Sequence, residues 1–152
     1  MTVTALAVQE LHRLTELYDY NDVDEMIAQC TYEIQNNITD IFVLSDGLEL
    51  IGELHARYRS DDDNFAVQGR RAYLFAFRIH KNYQGKGYGK YLIRKVIEIL
   101  KERGYSEFTV GVEDDNLKAQ HIYRSLGFDE RLLRKKEEYQ GDSYEYSLYL
   151  MR

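Results

Sequence analysis

The clearest chemical signal in the chain is a six-residue turn, Gln84-Gly85-Lys86-Gly87-Tyr88-Gly89. It follows an aromatic-rich apolar run from Tyr73 to Ile79 and precedes a long amphipathic stretch. The run reads as a buried strand and the stretch as a helix. A strand feeding a glycine-rich turn at a helix start aligns backbone amides on a phosphate group, and the helix dipole adds to the attraction. Without Cβ atoms, successive N–H groups can converge on the same oxygens. The competing reading is a turn with no ligand, yet a glycine inside a helix loses about 1 kcal/mol against alanine. Lys86 and Lys90 either add charge to the site or are simply solvated.

Two familiar phosphate-binding patterns do not fit. A Walker A loop needs a glycine, a four-residue spacer, Gly-Lys, and then Ser or Thr. Counting back from Gly89-Lys90 gives Gln84, and Tyr91 follows, so both ends fail. The dinucleotide pattern G-x-G-x-x-G fails because Lys90 stands where its third glycine belongs.

A second segment carries Asn116, Ala119, Tyr123 and Leu126-Gly127-Phe128. Asn116 and Tyr123 are two helical turns apart and share a face. With both segments in view, the chain resembles the GNAT superfamily of acyl-CoA-dependent N-acetyltransferases. Residues Gln84 to Gly89 match that family's Q/R-x-x-G-x-G/A pyrophosphate loop, and segment 116–128 matches its second motif. The match is good over residues 72–128; the first 70 residues match in element order alone. The resemblance implies a GNAT-like fold and acetyl-CoA as co-substrate, its pyrophosphate held by Gln84, Gly85, Lys86, Gly87, Tyr88, Gly89 and Lys90. It implies that backbone groups of Phe77 and Ile79 bond the pantetheine arm, with an amide there facing the thioester carbonyl. It also implies that Asn116 binds the arm and that Tyr123 protonates the departing thiolate. In water that proton transfer is uphill by roughly 2 kcal/mol, so a strong hydrogen bond to sulfur carries much of the effect. One departure is that no carboxylate lies between Tyr73 and Ile79, where some relatives carry a general base.

The acceptor amine must be neutral to attack, so a base or a water must take its proton. Glu53, Glu113 and His121 are the candidates, each with solvation as the plain alternative. Asp19, Asp22 and Asp24 would attract a cationic acceptor, although a helix cap explains Asp22 fully. The lone Cys30 reads as a small core residue, not a nucleophile.

The elements that must position these groups follow from periodicity. Thr2–Leu6 reads as a strand, and Val8–Tyr18 as a helix with Val8, Leu11, Leu14, Leu17 and Tyr18 on one side. Asp22 and Glu25 form a capping box for a helix to about Asn37. Ile41–Leu44 is a strand, Ser45-Asp46-Gly47 a hairpin turn, Leu48–Arg59 a strand and 61–69 a polar loop. Ala72–Ile79 leads into the glycines, a helix runs from about Gly87 to Arg103, and Gly104 stops it. Glu107–Val112 is a strand, and Asp115 or Asn116 caps a short helix. Two strands, about Asp129–Tyr139 and Tyr144–Met151, end the chain, with Tyr144, Tyr146, Leu148 and Leu150 on one face. The expected fold is α/β, a single domain over 1–152. Its central sheet is mixed and mostly antiparallel, with six to seven strands and about four flanking helices.

At 152 residues, 44% hydrophobic and 30% charged, the composition is that of a globular domain. No apolar run approaches the roughly 20 residues of a membrane span. The N-terminal residues lack a basic leader pattern, and one cysteine precludes an internal disulfide, so a cytoplasmic location is expected. The net charge of -6 argues against nucleic-acid binding. Residues 1–69 hold 3 Lys/Arg against 14 Asp/Glu, whereas residues 70–152 hold 17 against 12. That asymmetry suits an anionic cofactor on one side and a cationic acceptor on the other, or is merely uneven surface charge. The expectation is direct acetyl transfer to a primary amine of a cationic small molecule or peptide, with no metal. The alternative is a non-catalytic acyl-CoA-binding regulatory module. A homodimer is compatible with the sequence.

Overall fold

Strands β2 (Thr39–Asp46) and β3 (Glu49–Arg57) show how the chain builds its core. They pair antiparallel across a turn at Gly47, whose φ of +60° suits glycine. Both strands are buried on both faces, so their apolar residues run nearly without interruption. Ile41 and Val43 point to a cluster with Leu6, Leu11, Leu14 and Leu50. Phe42 and Leu44 point the other way, to a larger cluster with Leu92, Val96 and Leu100. One sheet therefore separates two apolar layers.

A computed structural model describes residues 1–152, the side chain of Tyr139 excepted. The remaining elements are β1 (Thr2–Ala5), a 3₁₀ helix (Val8–Glu16), α1 (Val23–Gln35), β4 (Arg71–Ile79), a short 3₁₀ turn (Lys81–Tyr83) and α2 (Tyr88–Glu102). They are followed by β5 (Glu107–Glu113), α3 (Leu117–Ser125), β6 (Glu130–Tyr139) and β7 (Asp142–Met151). The sheet order is β1-β2-β3-β4-β5-β7-β6. Only β4 and β5 pair in parallel; every other neighbouring pair is antiparallel. The expected mixed sheet is present with seven strands. No helix is long and apolar enough to cross a membrane among the described residues.

The first helix differs in kind from the expectation. Val8, Leu11, Leu14 and Leu17 are spaced by three, which matches the three-residue turn of a 3₁₀ helix better than an α-helix. Leu11 and Leu14 are fully buried by that geometry. In α1, Asp22 is the N-cap and its carboxylate accepts from Glu25 N at 3.0 Å, as the capping box requires. Cys30 packs against the smaller cluster, and burial pushes its thiol up to about 11, so it stays protonated. In α2, Leu92, Ile93, Val96, Ile97 and Leu100 are buried, each contributing roughly 2 kcal/mol. Gly104, at φ +100°, ends it.

The central strand pair is clamped at one end. Glu107 lies 3.0 to 3.2 Å from the guanidinium groups of Arg70, Arg71 and Arg152. Burial works against its charge, but the hydrogen bond from Arg71 and the neighbouring arginines outweigh it and hold the carboxyl below its usual range.

Candidate active site

Strands β4 and β5 pair only from Arg71–Leu74 against Glu107–Val110. Beyond that point each continues, β4 to Ile79 and β5 to Glu113, without pairing to the other. The sheet thus opens in its middle. The opening is sharpened by a bulge on β4: β3 sets Leu54 alone against Ala76 and Phe77. Ala76 has φ +50°, a left-handed conformation that residues with a Cβ rarely adopt. Such an irregularity leaves part of the β4 backbone outside the ladder.

Phe77, the second residue of the bulge, and Ile79 beyond it form one wall of a cavity of about 360 Å³. The glycine turn forms its rim, with Gln84, Gly85, Gly87, Tyr88, Gly89 and Lys90 all lining it. Each glycine has its own reason. Gly85 and Gly87 have φ of +75° and +87°, whereas Gly89 sits where a Cβ would come 2.8 Å from Phe77 Cζ. Gly87 caps α2 without a side-chain hydrogen bond, so the first helical N–H groups are left for an anion. The Gln84 side-chain amide donates to Ile79 O at 2.9 Å and ties the turn to β4. Lys86 does not line the cavity; its ammonium lies 5.9 Å from the Tyr83 ring centre. The arrangement can hold a chain-like ligand along β4 and its phosphates at the helix start.

The far wall belongs to α3. Asn116 is its N-cap, and the side-chain oxygen accepts from Ala119 N at 3.0 Å, leaving the side-chain NH₂ as a donor. Gln120 fastens the helix to β5 by donating to the carbonyls of Glu113 and Asp114. Tyr123 is edge-on to Phe128 and packs against the large cluster. Burial, and secondarily the phenol of Tyr73, push its hydroxyl up to about 12. Asn116 and Tyr123 are not among the residues that line the cavity. Lys118 and Ile122 line it from α3, as does Tyr83 from the 3₁₀ turn, its hydroxyl donating to Glu49 at 2.7 Å. Sequence reasoning did not single these out. Their one signal was the i, i+4 spacing of Lys118 and Ile122 on the helix bearing Tyr123.

On the opposite face of the sheet, Tyr73 lies over Gly111, where a Cβ would meet its hydroxyl at 3.5 Å. Tyr73, Glu113, Glu137, Tyr144 and Tyr146 border a hollow of about 310 Å³. The Glu137 carboxylate accepts from Tyr144 at 3.1 Å and from Tyr146 at 3.2 Å. An adjoining groove of about 840 Å³ runs to the end of α1. Its charges balance, Asp61, Asp62 and Glu137 facing Arg57, Arg59 and Lys135. The acidic surplus of the first half is therefore not concentrated there.

The three expected base candidates are scattered. His121 is exposed on α3, and Glu113 borders the Tyr73 hollow. Glu53 is fully buried, with one oxygen 2.8 Å from His55 Nε2 and the other 3.0 Å from Arg78 Nη1. Arg78 in turn stacks on Tyr18, 3.9 Å from the ring centre. Asp22 is engaged as the α1 cap. Neither His55 nor Arg78 was anticipated, although Glu53 and His55 alternate on one strand face.

Comparison with known proteins agrees with the geometry. The model of the acetyltransferase (GNAT) family matches residues 6–128. A thialysine N-epsilon-acetyltransferase of Sus scrofa is 39% identical over 59 residues, 39% of this chain and 35% of that protein. A [ribosomal protein bS18]-alanine N-acetyltransferase of Haemophilus influenzae is 41% identical over 64 residues, 42% of this chain and 43% of that protein. The chain thus spans less than half the length of these curated relatives in its matches. A ribosomal-protein-alanine N-acetyltransferase structure from Brucella melitensis superposes with a TM-score of 0.79 at 16% identity, covering 99% of this chain and 98% of that one. That likeness establishes the fold.

Proposed function

The chain belongs to the acetyltransferase (GNAT) family, and from that premise we propose that it transfers an acetyl group from acetyl-CoA to a primary amine by direct attack. One juxtaposition carries the reading. The cavity under the glycine turn is walled by β4 where it has left β5, and by α3, which bears Tyr123. The turn would hold the pyrophosphate on the N–H groups of Gly87 to Gly89 and on Lys90. The pantetheine arm would run along Phe77 and Ile79, with the Asn116 side-chain amide beside it.

In this mechanism the amine nitrogen attacks the thioester carbon, the C–N bond forms, and the C–S bond breaks. A backbone amide at the β4 bulge would face the oxyanion as it develops. Tyr123 would give the departing sulfur its proton or a strong hydrogen bond. With its hydroxyl near 12 and a thiol near 8.5, complete transfer is uphill by about 5 kcal/mol. A hydrogen bond that strengthens as charge grows on sulfur is then the dominant contribution. Cys30, protonated and on the other face, takes no part.

The acceptor favoured is the primary amine of a cationic small molecule or peptide. Glu137, held by two phenols beside Tyr73, supports this, because a carboxylate among aromatic rings suits an ammonium group. Relatives named for thialysine and for an alanine of ribosomal protein bS18 are in keeping with an amine acceptor. The test follows free CoA across a panel of amines, including diamines, lysine analogues and basic peptides. Acetyl-CoA-dependent release with at least one is expected. Thermal stabilisation by acetyl-CoA with no release from any amine would leave only the binding module.

A further inference from the structure

The mechanism above leaves the amine's proton without a recipient, and a buried group outside the acetyl-CoA cavity can take it. His55 is 7% exposed and sits on β3 directly across from Phe75, its ring 5.3 Å from that ring. Its Nε2 lies 2.8 Å from Glu53. Arg78 Nη1 donates to the other Glu53 oxygen at 3.0 Å, so both oxygens are engaged, and a carboxylate can only accept hydrogen bonds. Nε2 therefore carries the hydrogen and Nδ1 holds the lone pair. An imidazole oriented in this way by a buried carboxylate is the arrangement that makes histidine a general base.

Two further observations point to a guest beside it. A cavity of about 200 Å³ lies between α1 and the sheet, lined by Tyr20, Cys30, Thr39, His55, Ala76 and Arg78. Thr39 is 3% exposed, and its hydroxyl has no hydrogen-bond partner among the described groups. A buried hydroxyl left without a partner beside such a space marks room for a polar visitor. Ala76, the left-handed residue of the bulge, joins this cavity to the strand proposed to present the thioester.

We propose that His55 is the general base of the reaction, positioned by Glu53, and that this cavity receives the acceptor nitrogen or the water that relays its proton. The proposal rests on the acetyl-transfer reading. His55 Nδ1 takes one proton from the ammonium and the freed lone pair attacks the thioester carbon. As the C–S bond breaks, the nitrogen gives up its second proton, which passes by way of Tyr123 or water to the departing sulfur. The imidazolium returns its own proton to solvent after product release. The charged and titratable groups facing the dyad are Arg78 from β4, Arg57 from β3 itself, Cys30 and Glu33 from α1, and Tyr20 from the preceding loop. Glu33 is paired to Arg57 at 2.8 Å, and burial pushes Tyr20 up to about 12 and Cys30 up to about 11. Neither the phenol nor the thiol changes charge near neutral pH.

The test compares wild type, His55→Gln and Glu53→Gln with an amine that the wild-type protein acetylates. His55→Gln is expected to lower kcat/KM at neutral pH by roughly 10²-fold or more. The deficit should shrink as pH approaches the amine's own pKa, while stabilisation by acetyl-CoA stays at the wild-type value. Glu53→Gln should keep part of the activity with a displaced pH profile. Nitrogen NMR of the wild-type imidazole should find the Nε2–H tautomer at His55, a readout independent of any acceptor or of how the variants fold. An Nδ1–H tautomer would overturn the proposal, as would a His55→Gln protein with wild-type kcat/KM and pH profile. A wild-type protein that releases no CoA with any amine would remove the parent reading instead, and the tautomer could still be as described.

Discussion

At the scale of single residues, three positions connect sequence to chemistry by different physical routes. Tyr123 is set by burial: its hydroxyl, pushed up to about 12, remains a donor throughout the working pH range. Tyr123→Phe should slow CoA release by roughly 10²-fold or more, with acetyl-CoA stabilisation unchanged. Because its folded pKa is raised, the phenol's contribution to stability is complete below its unfolded value near 10 and fades as pH rises towards 12. An alkaline loss of activity centred below pH 10 would therefore have to come from another group. Gly89 is set by contact. A Cβ there would press on the Phe77 ring at 2.8 Å, so Gly89→Ala should displace the ring and weaken the thermal response to acetyl-CoA. Gly87 is set by conformation, and Gly87→Ala places a side chain in a left-handed backbone at a cost of about 1–2 kcal/mol. Calorimetry should find its Tm lower by roughly 2–8 °C.

At the scale of elements, the decisive feature is a strand pair held at one end and open at the other. The closed end is the Glu107 cluster with Arg70, Arg71 and Arg152. Glu107→Gln should lower stability by about 1.5–3 kcal/mol, read from urea unfolding. Its folded pKa lies below the unfolded one, so the stabilisation is present above roughly pH 4 and is lost as pH falls through the folded value. Asp114, bonded by Ser147 and Arg134, works in the same direction and joins β5 to the last hairpin. Wild type should thus lose stability in acid, and Glu107→Gln should lose less over that interval.

The elements also show where sequence reasoning reached and where it stopped. Glycine chemistry, capping by Asp22, a cap at Asp115 or Asn116, and the helical face of α2 are local, and each was legible. The bulge at Ala76 was not, because it is defined by register against β3, and no residue of the run Tyr73–Ile79 announces it. The 3₁₀ form of residues 8–16 was partly legible, since its leucines repeat every three residues. The pairing of Glu53 with Arg78 joins residues from two strands, so only their proximity in the sheet makes it visible.

At the scale of the whole molecule, the two faces of the sheet have separate duties in this account. The α2–α3 face offers a basic, glycine-rimmed cavity, and the opposite face offers aromatic rings, carboxylates and the His55 dyad. The opening between β4 and β5 is where the two meet. The uneven charge of the halves was a poor guide to this. The groove that adjoins the Tyr73 hollow draws Arg57 and Arg59 from the acidic half and Lys135 and Glu137 from the basic half. Acetyl-CoA at a hundredfold excess over its Kd should add about 2.7 kcal/mol, hence roughly 5–10 °C in Tm.

The most direct measurement follows acetyl-CoA-dependent release of free CoA across the amine panel, with wild type and Tyr123→Phe side by side. Release by the wild type with at least one cationic primary amine is expected, with the acetylated amine formed in equal amount and Tyr123→Phe roughly hundredfold slower. Equal rates for the two proteins with a confirmed acceptor, or no release with any amine, would contradict that expectation.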